Sequence, residues 1–151
     1  MALAAGKPTQ RMGSPVNNYQ IGVKSGVTIF QGALVILAAG FARPGREGQG
    51  ADNAAKAADA ATYQAVGVAQ ETVTGSGADG DVKVNVQECQ WLFKNSASGD
   101  AITAAEIGKT VYIVDDETVA KTSPNSTRAA AGKVTLVDSD GVWVRVGPGL
   151  S

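Results

Sequence analysis

From residue 19 onward the chain runs as short apolar segments broken by glycine and polar residues. Segments 19–23 (YQIGV), 27–30 (VTIF) and 34–37 (LVIL) are four or five residues long and rich in β-branched side chains, which predicts strands. Segment 63–69 (YQAVGVA) has the same character. In 81–88, Val82, Val84 and Val86 alternate with Lys83, Asn85 and Gln87, so a strand with one buried and one wet face is expected. Segment 90–94 (QWLFK) continues that strand or bends away from it.

Two hairpins are expected near the C-terminus. Segment 110–114 (TVYIV) turns through Asp115, Asp116 and Glu117 into 118–121, and 133–137 (KVTLV) turns through residues 138–141 into 142–146 (VWVRV). The Asp140-Gly141 step between alternating hydrophobics is a strong hairpin signal. Between the strands, Thr103 and Glu106 fit a capping box and Gly108 sits where a left-handed C-terminal residue belongs, predicting one very short helix at about 104–107. The fold class is therefore all-β: a small β-barrel or sandwich with one very short helix and an extended N-terminal arm.

Two segments lack any such pattern. Residues 1–18 hold Gly6, Pro8, Gly13, Pro15 and the Asn17-Asn18 pair without apolar periodicity, and read as an extended or disordered arm. Residues 19–151 are then a single β domain carrying an irregular Gly/Ala-rich loop at about 43–62. Its part 51–61 could be helical by propensity but offers no large apolar residue to dock, so a mobile or interface loop competes with a helix there.

Charge sharpens this division. Through Arg46 the chain has five basic residues and no acid, whereas residues 47–117 carry twelve acids against four lysines; the net charge is −1. The basic residues are too sparse for nucleic-acid affinity at physiological salt. An extended basic arm lying on an acidic protein surface accounts for the pattern better. Small side chains dominate: 19 residues are Gly and 5% are aromatic, which suggests a thin core completed by a neighbouring subunit.

Composition also narrows the chemistry. The chain has no His and one Cys, Cys89, so Ser-His-Asp and Cys-His nucleophile arrangements, His-ligated metals, internal disulfides and Cys-zinc clusters are excluded. Residues 1–7 do not read as a secretory signal, and the longest apolar run, 33–39, is far short of the ~20 residues that span a bilayer. Residues 75–80 (GSGADG) match G-x-G-x-x-G but lie between two strands rather than opening a helix. Gly108-Lys109-Thr110 ends like a phosphate-binding loop but has Thr103 where its first glycine must stand. Asp115–Glu117 and Asp138–Asp140 lack the spacing of a calcium loop and read as turn residues. No catalytic, cofactor or metal site is expected; Trp91, Phe93 and Trp143 read as core, and Cys89 as a buried thiol.

The C-terminal third carries a resemblance. Residues 107–120 (IGKTVYIVDDETVA), 125–134 (NSTRAAAGKV) and 137–144 (VDSDGVWV), with 63–69, resemble the small capsid decoration, or cement, proteins of tailed bacteriophages. The resemblance spans about residues 20–146. It implies a compact β body, made in the host cytoplasm, that binds the outside of the virion shell as a homo-oligomer, a trimer before a dimer. There it would join neighbouring copies of the major capsid protein, with no enzymatic activity and no membrane partner. The candidate contacts are Lys7, Arg11, Met12, Pro15 and Tyr19 of the arm, with Arg43 and Arg46 as rim charges. The alternatives are another virion or tail structural protein, or a module binding carbohydrate or a host surface. An exposed cluster of Trp91, Phe93 and Trp143 would mark the binding module.

Overall fold

The computed structural model describes residues 2–150; Met1 and Ser151, the outermost residues of the two expected segments, lie outside the described residues. The chain is mostly β. Strands β1 (Arg11–Gly22), β2 (Thr28–Ile29), β3 (Leu34–Ala38) and β4 (Phe41–Pro44) precede helix α1 (Asn53–Ala60). Then come β5 (Tyr63–Ala69), β6 (Val73–Thr74), β7 (Lys83–Asn95), β8 (Thr110–Ile113), β9 (Thr118–Ala120), β10 (Ala130–Asp138) and β11 (Gly141–Val146).

The C-terminal strands close a small barrel. β8 pairs with β9 and with β10, β10 pairs with β11, and β11 returns to β7 through Val142–Phe93 to Val146–Cys89. A parallel step from Lys94 to Thr118 joins β7 to β9 and completes the ring. Its interior is filled by Trp91, Phe93, Ile102, Val111, Ile113, Val142 and Val144, among others. Both expected hairpins are present.

β7 is one continuous strand serving two cores. Its buried side chains are Val84, Val86 and Glu88, then Cys89, Trp91 and Phe93, so the inward face changes parity between residues 88 and 89. Below that point β7 pairs with β5, and above it with β11. The lower half packs a second core with Val23, Ile29, Val35, Ala42 and Val66. A one-residue change of parity moves every following side chain to the other face, so a single strand feeds both clusters.

Two expectations are corrected. Residues 11–18 do not stand off as an arm. They continue β1, which pairs with β7 from Arg11–Trp91 to Gly22–Lys83, with an irregularity between Met12 and Asn17. The pairing escaped the sequence reading because residues 11–18 are exposed, Pro15 alone being half-buried, and an uncovered strand has no reason to alternate. The 43–62 region is not irregular throughout. β4 reaches Pro44, and α1 is capped by Asp52, whose carboxylate accepts from Ala55 N–H at 2.8 Å; such a cap favours the helix by about 1 kcal/mol. The expected helix at 104–107 is a single 3-10 turn, Ala104–Glu106, with its capping box formed.

Candidate interaction surface

The sequence-derived contact residues fall into three groups. Arg11, Met12, Pro15 and Tyr19 all lie on β1. Arg11 donates to Gln87 Oε1 at 3.0 Å, and Tyr19 donates its hydroxyl to Glu88 Oε2 at 2.9 Å. The Glu88 bond, followed by burial, holds the Tyr19 hydroxyl above its ordinary pKa. Glu88 is fully buried, and its Oε1 meets no hydrogen-bond donor among the described residues. Gly147 and Gly149 pack on this carboxylate so tightly that a methyl group at either position would collide with it.

Lys7 belongs to the second group, a terminal segment folded over the domain. Leu3 N–H donates to Asp116 Oδ1 at 2.8 Å, Lys7 N–H to Gln31 O at 2.8 Å, and Thr9 Oγ1 to Gly32 O at 2.5 Å. Lys7 Nζ meets Glu117 Oε1 at 3.1 Å, and Lys94 meets the same oxygen at 2.9 Å. Burial alone would push the Glu117 carboxyl up, but the hydrogen bonds from Lys94 and Lys7 outweigh it and hold it below the ordinary value.

Arg43 and Arg46 form the third group, on β4 and just beyond it. Arg46 Nε donates to Tyr63 Oη at 2.8 Å, and its guanidinium lies 5.5 Å from the Tyr63 ring centroid. The Tyr63 hydroxyl in turn donates to Asp59 on α1. Arg46 is thus an internal clasp between α1 and β5 rather than a free rim charge. For Asp59, burial works upward, but Tyr63, Gln49 N–H and the two arginines together leave its carboxyl below the ordinary value.

The exposed large apolar residues are Met12, Val16, Ile107 and Leu136. Met12 and Val16 border an open groove of about 350 Å³ whose wall also includes Cys89, Thr135, Arg145 and Leu150. Trp91 and Phe93 are each 3% exposed and Trp143 is 9% exposed, so these rings form core rather than a sugar-stacking platform. The sequence reading missed Val16, Asn18 and Gln20, which together make the open side of β1. The run from Met12 to Val23 without a charged residue was the available signal, because natural edge strands ordinarily carry charge.

Among the described residues, no group of three or more His, Cys, Asp or Glu side chains is arranged to hold a metal ion. No helix of the described residues is long and apolar enough to cross a membrane. The chain matches no known family model, no curated protein and no solved structure.

Proposed function

We propose that this protein is a structural component of a phage virion that binds the outside of the capsid shell as a homo-oligomer and ties neighbouring capsid subunits together. The observation that carries this reading is where the resembling segments fall. Residues 63–69, 107–120 and 137–144 become β5, the β8–β9 hairpin and the β10–β11 turn of one continuous sheet. A barrel filled with its own side chains is a stiff platform rather than a ligand container, which suits a protein that works by adding contact area. The open side of β1 supports the homo-oligomeric part of this reading, since main-chain pairing at a sheet edge is a common mode of association.

The test is a quantitative protein count on purified particles of the phage that encodes the chain. A copy number equal to that of the major capsid protein, or a simple fraction of it, is expected. A handful of copies per particle would move the protein to the tail or portal, and its absence from particles would overturn the proposal.

A further inference from the structure

We propose that β1 is a self-association strand: two copies of this chain pair antiparallel along residues 16–20 about a two-fold axis at Asn18. The argument starts from which backbone groups are used. Val23 N–H donates to Val82 O at 2.8 Å, and in an antiparallel ladder inward- and outward-facing residues alternate. Counting back, Ile21, Tyr19 and Asn17, opposite Val84, Val86 and Glu88, face β7. Gln20, Asn18 and Val16 turn their N–H and C=O groups away from it. No backbone hydrogen bond closes that side among the described residues.

The other edge of the sheet shows what a closed edge looks like here. β4 ends in Pro44, which has no N–H, while Lys24 N–H donates to Ala42 O at 3.2 Å and the backbone at Arg46 forms an isolated antiparallel β-bridge with that at Asp115. Sheet edges are ordinarily protected by charge, proline or a bulge. β1 carries its proline at residue 15, inside the irregular stretch between Met12 and Asn17, and leaves the outer side of 16–20 bare.

A second copy is the partner this edge fits. From Val16 to Gln20 the strand is Val-Asn-Asn-Tyr-Gln, with no charge to repel an identical strand. With Asn18 opposite itself, Val16 meets Gln20 of the other copy, and outward-facing residues oppose outward-facing residues throughout. The three pairs would form about six backbone hydrogen bonds, two for each pair. A two-fold contact uses the one free edge of each copy, so it closes as a dimer and does not grow into a fibre. This two-fold arrangement differs from the three-fold one that the resemblance implies, and it stands independently of shell binding.

The experiment is sedimentation equilibrium on the full chain with three sequences: wild type, Asn18→Lys and Asn18→Asp. Asn18 is exposed, so either variant should keep the wild-type circular dichroism spectrum and melting profile. The wild type should be dimeric. Each variant should dissociate at least about tenfold more readily, because like charges would face each other on the axis. Mixing the two variants should restore a dimer of one copy of each. A monomeric or trimeric wild type, an unaffected Asn18→Lys dimer, or a mixture that stays monomeric would each overturn the proposal. Binding of the same proteins to purified shells, measured by co-sedimentation, reports on the functional reading separately.

Discussion

The two acidic hairpin turns look alike in sequence and are built differently. Both begin with the same local bond: Glu117 N–H donates to Asp115 Oδ1 at 2.9 Å, and Asp140 N–H to Asp138 Oδ1 at 2.8 Å. At 138–140 little follows; the residues are exposed, and among the described residues the further side-chain partner of Asp138 is Trp143 Nε1 at 3.3 Å. At 115–117 the turn becomes a hub. Asp116 and Glu117 are buried, Leu3 and Lys7 arrive from more than a hundred residues away, and Lys94 joins from β7. The backbone takes part too, with Leu34 N–H bonded to Asp116 O and Lys94 N–H to Glu117 O, both at 2.8 Å. Turn chemistry is local, whereas the worth of a turn depends on what the rest of the chain brings to it.

The largest expected effect is at Glu117. Glu117→Ala removes the shared acceptor of two lysines and should cost about 2–3 kcal/mol, read as a lower urea midpoint. The stabilisation carried by this carboxylate is present above its ordinary value of 4.5 and is lost as pH falls through its lowered folded value. Wild type should therefore lose more stability on acidification than Glu117→Gln does.

Asp116 should respond in the opposite sense. Burial, with help from the neighbouring Asp115 and Glu117 charges, raises its carboxyl above the ordinary 3.8. The folded chain thus holds this proton more tightly than the unfolded chain, and the charged form weakens the fold at neutral pH. The penalty fades as pH drops through the raised value and is gone below 3.8. Asp116→Asn keeps an acceptor for Leu3 N–H, so it should raise the melting temperature by a few degrees at pH 7 and give no gain near pH 3.

Smaller effects complete the series. Lys7→Ala leaves Lys94 on Glu117 and should cost less than about 1 kcal/mol, with faster proteolysis of residues 2–10 as the more sensitive readout. Asp138→Ala, at the other turn, should stay within about 0.5 kcal/mol in the same denaturation assay. An Asp138→Ala cost equal to that of Glu117→Ala would erase the distinction between the turns.

What was legible in the sequence was local. The two hairpins, the alternation of Val84 and Val86, and the Thr103–Glu106 capping box each depend on neighbours a few residues apart, and each is present. The outer half of β1 was not legible, since it is exposed and so was never patterned. Nor was the parity change at Glu88, which needs knowledge that β5 leaves and β11 arrives beside the same strand. Of the candidate contacts, β1 gathers Arg11, Met12, Pro15 and Tyr19, and Lys7 and Arg46, like Arg11 and Tyr19, are engaged within the chain itself. Lys7 found its acid 110 residues away and Arg46 found a tyrosine 17 residues on, and composition alone does not reveal such pairings.

The only thiol in the chain supplies a clock. Cys89 is 2% exposed, and its Sγ donates to Met12 O at 3.4 Å and Ser14 O at 3.3 Å, so it lies beneath the irregular stretch of β1. At that exposure a thiol-reactive dye reaches it through opening of the surrounding structure, of which that stretch is a covering part. The labelling rate of the unmodified protein therefore counts those openings, with no competing cysteine to subtract. Whatever clamps β1 in place, whether a second copy or a shell, would slow the clock.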